Sequence, residues 1–185
     1  MALPARHTPP VPAAQPDSPL AVIVRVTNEG REARHCALIV SDVAEVMRPL
    51  PIEGVAHMPA FVLGLSLIRG TPIPVVDAAA LLAHGRENRP LDEEAVPALE
   101  KVVPTRFVVV RAGDRRVALA VQGVLGVRPL ARETLRALPP LLANAGAQVV
   151  TALGTLDAQL LTVLSGGYLV PPALWEALAT PQGVT

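Results

Sequence analysis

The sequence predicts an all-β chain folded as two small barrels of about five strands each, with short helices only at the periphery. Three observations point to this. Short runs rich in Val, Ile and Leu alternate with glycine-, proline- and charge-bearing turns from Ala21 to Val170. The order of those runs recurs once, with a period of roughly 60 residues. The 185 residues are 51% hydrophobic and only 17% charged, so the chain can bury a sizeable core and is not disordered throughout.

Along the chain, residues 1–20 begin MALPARHTPPVPAAQPDSP, a proline-rich stretch that reads as an extended, disordered tail. It lacks the apolar segment of about 7 to 15 residues that marks a signal peptide. Residues 21–83 form the first expected barrel. AVIVRV (Ala21 to Val26) and CALIV (Cys36 to Val40) flank the polar stretch Thr27 to Arg34 as a hairpin, and a strand through Val43 runs to Arg48-Pro49-Leu50. A second hairpin follows, LGLSLI against TPIPVVD. Residues 84–104, HGRENRPLDEEAVPALEKVVP, are the most charged stretch and read as a linker, with a helical turn expected near Leu91 to Ala95. Residues 105–170 form the second expected barrel: FVVVR and VALAV around Gly113-Asp114, then a strand ending in Arg128-Pro129-Leu130, then TALGTLDAQLLTVL. Ala131 to Leu138 is expected to form a short helix. Residues 171–185 open with Pro171-Pro172 before ALWEAL, the pattern of a short helix and tail.

Aligned, ALIVSDVAEVMRPL lies over ALAVQGVLGVRPL, and Gly64 falls opposite Gly154. Any two Val- and Leu-rich β segments align loosely, but the ordered recurrence of hairpin, strand, Arg-Pro-Leu, glycine and hairpin favours duplication. Closure into barrels removes the sticky edges of such strands.

The same composition excludes several functions. Sixteen basic residues balance sixteen acidic ones, which supplies no basic field for nucleic acid. With only Phe61, Phe107, Tyr168 and Trp175 aromatic, no base-stacking platform is expected. The longest apolar run, Ala60 to Ile68, stops at Arg69, far short of the ~20 residues that span a bilayer. A single cysteine, Cys36, forms no internal disulfide and suits a reducing cytoplasm. His7, His35, His57 and His84 have no ligand spacing, so no metal is expected. Gly64-Leu65-Ser66-Leu67-Ile68 starts like a nucleophile elbow but lacks its closing glycine. Glu45 and Asp77 make a conceivable acid pair, yet Asp77 reads better as a helix cap before AAALL. No phosphate loop, cofactor site or catalytic group is expected, and the chain is not read as an enzyme.

One segment stands apart. In LGLSLIRGTPIPVVD, Gly70 turns the chain while Pro72 and Pro74 stiffen the return and bar it from the middle of a continuous ladder. Arg69 is thereby presented at a strand end. The nearby strand carries Val43, Glu45 and Val46, so Glu45 is a candidate ion-pair partner that orients Arg69 at an interface.

FVLGLSLIRGTPIPVVDAAALL, together with SDVAEVMRPLPIEGVAHMPAF upstream, resembles the central signature of CheW-like domains, and RFVVVRAGDRRVALAVQGVLGVRPL with ALGTLDAQLLTVLS is similar to the family's second subdomain. The resemblance covers about Ala21 to Val170. It implies two SH3-like five-stranded barrels and no enzymatic activity. It implies an adaptor that couples the cytoplasmic tip of methyl-accepting chemoreceptors to the regulatory domain of a CheA-type histidine kinase, in flagellar chemotaxis or type IV pilus motility. By the same resemblance Val43, Glu45, Gly64, Arg69 and Gly70 match partner-contacting strands, with Val121 and Val124 from the second barrel. The chain departs from the family at Gln122, where Asp is usual. The competing expectation is an SH3-like barrel module binding nucleic acid or the ribosome, which calls for a basic stripe.

Overall fold

Strands β1 (Leu20–Val26), β2 (Arg34–Ile39) and β3 (Val43–Met47) open the fold, with a 3-10 turn at Val40–Asp42 between the last two. They are followed by β4 (Val62–Ile68), β5 (Thr71–Asp77) and helix α1 (Ala78–Glu87). The remainder comprises β6 (Arg106–Ala112), β7 (Arg115–Val121), β8 (Gly123–Pro129), β9 (Arg136–Ala137), β10 (Val150–Leu156), β11 (Gln159–Leu164) and a 3-10 turn at Gly166–Tyr168. This computed structural model describes residues 18–27, 33–87, 103–131, 133, 135–137, 149–157, 159–170 and 175. The expected proline-rich tail, the helical turn near Leu91 and all of the C-terminal helix except Trp175 lie outside the described residues. The helix expected over Ala131 to Leu138 is not formed at its end, where Arg136–Ala137 pairs with β10 as a short edge strand.

The hairpins fall where the sequence places them, but their partners do not. One sheet has the order β8-β1-β2-β11-β10-β9 and the other β3-β6-β7-β5-β4. Each therefore takes one hairpin from segment 21–83 or 105–170 and its remaining strands from the other segment. The expected boundaries cut across the strand pairing. The physical reason lies at two crossings: the 3-10 turn after β2 diverts the chain into the second sheet, and Gln122 after β7 diverts it back into the first. The exchange is reciprocal. β1 pairs antiparallel with β8 as β6 does with β3, and β2 lies parallel to β11 as β7 lies parallel to β5.

This arrangement explains why the strands read as unbroken apolar runs. In β1, Ala21 and Ile23 face the interior of their own sheet with Ala37, Leu161 and Val163. Val22, Val24 and Val26 face a second core shared between the sheets. The other half repeats it: Phe107 and Val109 lie inside with Ile68, Ile73 and Val75, and Val108 and Val110 reach the shared core. Strands buried on both faces need no polar alternation, and each fully buried Val or Leu contributes about 1.5–3 kcal/mol. Trp175 packs against the shared core with the Arg115 guanidinium 5.1 Å from its ring centroid, a cation–π contact.

Two polar devices fix the frame. Asp77 caps α1, its Oδ1 accepting the N–H of Ala79 at 2.8 Å and of Ala80 at 3.1 Å. Gln122 sews the crossing together: its Oε1 accepts the Thr27 N–H at 2.8 Å, its N–H donates to the Arg25 carbonyl at 3.1 Å, and its own carbonyl accepts the Thr105 hydroxyl at 2.7 Å. The amide oxygen serves there as a neutral acceptor, where the resemblance led one to expect a carboxylate.

Candidate functional site

The β4–β5 hairpin builds the site. Its two-residue turn is Arg69-Gly70, with φ of 51° and 78°, the double left-handed geometry of a type I′ turn. Gly70 fits that conformation freely, whereas Arg69 adopts it against its Cβ. In a hairpin closed by such a turn, the pairs Leu67–Pro72 and Leu65–Pro74 are the ones that exchange no hydrogen bonds with each other. The missing proline N–H groups therefore cost the β4–β5 ladder nothing. They do end the ladder on the other side: β5 pairs with β7 only at Val75, Val76 and Asp77. The proline rule thus holds locally in a strand that is second from the sheet edge.

The turn brings Arg69 to Glu45 across the gap between β3 and β4, the two edges of the five-stranded sheet. Arg69 Nε donates to both carboxylate oxygens at 3.0 and 3.1 Å, and Nη2 donates to Oε2 at 2.8 Å. Those hydrogen bonds and the charge of Arg69, with Arg116 adding to it, hold the Glu45 carboxyl below the ordinary carboxylate range. The same contact raises Arg69. The pair is thus charged on both sides at neutral pH. Arg69 remains 75% exposed against 21% for Glu45, so the carboxylate is spent on the guanidinium while the guanidinium still faces outward. Val46 and Leu67, 42% and 66% exposed, flank the pair along their strands. Leu67 escaped the sequence reading; its signal is its outward position two residues before the turn.

Gly64 serves the site from beneath. Its φ is 137°, and a Cβ there would collide with the Glu53 carbonyl oxygen, the carbonyl carbon lying 2.8 Å away. That approach lets Glu53 and Leu65 exchange two backbone hydrogen bonds of 2.8 Å each, pinning the strand that carries Arg69. The remaining candidates separate. Val43 pairs with Val110 and packs, half-buried, on the shared core. Val124 sits half-buried opposite Val24 in the other sheet. Val121 has no exposed surface at all; it ends β7 inside the shared core, so its expected contact with a partner is replaced by packing. Glu45, Arg69 and Gly70 thus form one surface end, Gly64 supports it, and Val43 adjoins it.

Glu45 and Asp77, the conceivable acid pair, have separate duties: one binds Arg69 and the other caps α1. Among the described residues no group of three or more His, Cys, Asp or Glu side chains is placed to hold a metal ion, and no helix is long and apolar enough to cross a membrane.

The arrangement of an Arg-Gly turn braced by a glycine-bearing strand, in one of two sheets that exchange hairpins, agrees with the comparison against known families, in which residues 21–171 match the CheW-like domain. The chain belongs to the CheW-like domain family. The chemotaxis protein CheW of Klebsiella aerogenes is 26% identical to it over 113 residues, 61% of each protein's length. The chain thus spans about 61% of the length of that curated relative. Among solved structures, the scaffolding protein TtCheW from Thermoanaerobacter tengcongensis superposes with a TM-score of 0.62 over 82% of this chain and 92% of that one, at 20% identity. That likeness is one of fold, and it bears out the all-β expectation.

Proposed function

We propose that this CheW-like chain is a non-enzymatic, cytoplasmic adaptor that couples the cytoplasmic tip of chemoreceptors to the regulatory domain of a CheA-type histidine kinase in bacterial chemosensory signalling. The observation that carries the reading is the outward-facing Arg69, fixed by Glu45 on a left-handed turn and flanked by exposed Val46 and Leu67. A charged group held in one orientation beside apolar surface loses little conformational freedom on binding, so it suits recognition. Val43, Gly64 and Gly70 belong to the same end as supports, and Val124 to the six-stranded sheet. An adaptor transmits a signal only if it contacts the active and inactive arrangements of its partners unequally. Each contact is expected at or below the standard interface size of about 1,600 Å², with array avidity supplying the remainder.

Co-sedimentation with receptor-containing membranes and kinase tests this. Arg69→Glu is expected to stay cooperatively folded by circular dichroism and to lose co-sedimentation. Combining it with Glu45→Arg restores an ion pair of inverted polarity. Continued loss in the double variant places the arginine on the partner, whereas recovery assigns it only to barrel closure. Wild-type co-sedimentation by Arg69→Glu refutes the proposal.

A further inference from the structure

The start of β3 is fastened by a side chain that lies outside the candidate site. Arg111, next to last in β6, donates from its single Nη1 to the Ser41 carbonyl at 2.9 Å and to the Val43 carbonyl at 3.0 Å. It therefore grips the chain on both sides of Asp42. Immediately beyond that grip the ladder slips: Val43 lies opposite Val110 and Glu45 opposite Val109, leaving Ala44 as the extra residue. A bulge re-aims the side chain that follows it, and here that side chain is Glu45, which is turned to Arg69. From the other sheet, the 3-10 turn Gly166–Tyr168 closes on the same corner. A Cβ at Gly166 would lie 2.7 Å from the Arg111 carbonyl oxygen, 2.7 Å from Val110 Cγ1 and 3.3 Å from Asp42 Cβ. The turn can sit there only because position 166 carries no side chain.

The half of the molecule related by the repeat supplies a contrast. Arg25 holds the matching place in β1, paired with Gly123 where Arg111 adjoins the start of β3. Its guanidinium lies 3.5 Å from where a Gly123 Cβ would be, and the β8 residue matching Glu45 is Gly126, which has no side chain to aim. The clasp on two carbonyls occurs at the barrel end that has a carboxylate to direct. Deepening the reading of the Arg69 end and resting on it, we propose that Arg111 is a positioning residue for Glu45: by holding the β3 bulge it sets the carboxylate against Arg69, and Gly166 lets the other sheet close over that hold.

Titration of the Glu45 carboxyl by NMR in the full chain tests this without any partner, so its failure is distinct from a failure of the adaptor reading, which co-sedimentation reports. Arg69→Gln supplies the midpoint of the unpaired carboxyl. Arg111→Met, which keeps the stem and removes the donors, is expected to raise the Glu45 midpoint to that value. Arg111→Lys is expected to keep the wild-type midpoint, because one ammonium can donate to both carbonyls as Nη1 does. A merely structural role would lower the melting temperature and leave the midpoint in place. The charges acting on Glu45 are those of Arg69 and Arg116, so loss of the Arg111 charge alone does not account for a rise. Gly166→Ala strains the same corner with the guanidinium intact and serves where Arg111→Met does not fold; it too is expected to raise the midpoint. A wild-type midpoint in either variant, folded, overturns the proposal.

Discussion

Replacing Gly64 by alanine separates a backbone role from a binding role at the candidate site. Two costs arise. The φ of 137° lies where only glycine is at ease, and such strain is worth about 1–3 kcal/mol. The new methyl group would also overlap the Glu53 carbonyl, so the segment crossing β4 must withdraw, and the two Glu53–Leu65 hydrogen bonds of 2.8 Å are lost at about 1 kcal/mol each. Together the loss is about 3–5 kcal/mol, which for a domain of this size corresponds to a fall in melting temperature of roughly 10 °C. The assay is thermal unfolding followed by circular dichroism. Gly70→Ala is the control: nothing lies within 4 Å of its Cβ position, so only the positive-φ cost of about 1 kcal/mol is expected. If Gly64→Ala melted within 2 °C of the parent, or no lower than Gly70→Ala, the close approach of the Glu53 carbonyl would not be what requires glycine.

Three further outcomes are expected. Asp77→Ala removes the cap that serves the N–H groups of Ala79 and Ala80 and should cost about 0.5–2 kcal/mol, measured by urea unfolding, with Asp77→Asn recovering most of it. Ser66 is 2% exposed and its hydroxyl has no hydrogen-bond partner among the described residues; Ser66→Ala should therefore leave stability unchanged or raise it by up to about 1 kcal/mol, and a clear loss would reveal a partner for that hydroxyl. Burial pushes the Cys36 thiol from 9.0 up to about 12, with Arg34 opposing. The unfolded chain releases this proton first, so stability should fall by roughly 1.4 kcal/mol per pH unit from about pH 9 upward. Cys36→Ala should lack that slope; equal slopes in the two proteins would contradict the assignment.

The local elements were legible in the sequence because their causes are local. Val-rich runs around Gly113, the Arg69-Gly70 turn and the cap before AAALL each rest on residues a few positions apart. The partners of those elements were not legible. Nothing in AVIVRV distinguishes a strand that pairs with Val124 from one that pairs with Val43, since both offer the same apolar face. The pairing is decided by where Val40–Asp42 and Gln122 send the chain. At the site, Glu45 and Arg69 could be joined in advance because Arg69 ends one apolar strand and the strand before it in the chain carries Glu45. Val121 was misplaced because a valine between two sheets and a valine on a surface look alike in sequence. Arg111 and Gly166 went unnoticed for a related reason: their partners are backbone groups brought together only by the hairpin exchange.

The repeat in the backbone does not extend to its chemistry, and that difference bears on what each end can bind. Through the strand registers, Val46 opposite Val108 corresponds to Val127 opposite Val22, and Glu45 opposite Val109 corresponds to Gly126 opposite Ile23. The hairpin turns correspond as well, Arg69 and Asp157 sharing the left-handed conformation with φ of 51° and 50°. One end therefore carries an arginine already paired with a carboxylate. The other carries an exposed aspartate at its turn, a glycine where the carboxylate would stand, and Leu125 and Val127 exposed at 48% and 55% on an edge strand. A surface complementary to the arginine end meets the wrong charge at the aspartate end. The two ends are thus suited to different neighbours or to different faces of one neighbour. Contacts between unlike surfaces are heterologous, the kind that closes into rings or runs on as filaments. Two exact copies of one barrel would present the same charges at both ends; Gly126 and Asp157, in the places matched by Glu45 and Arg69, are where the two ends differ.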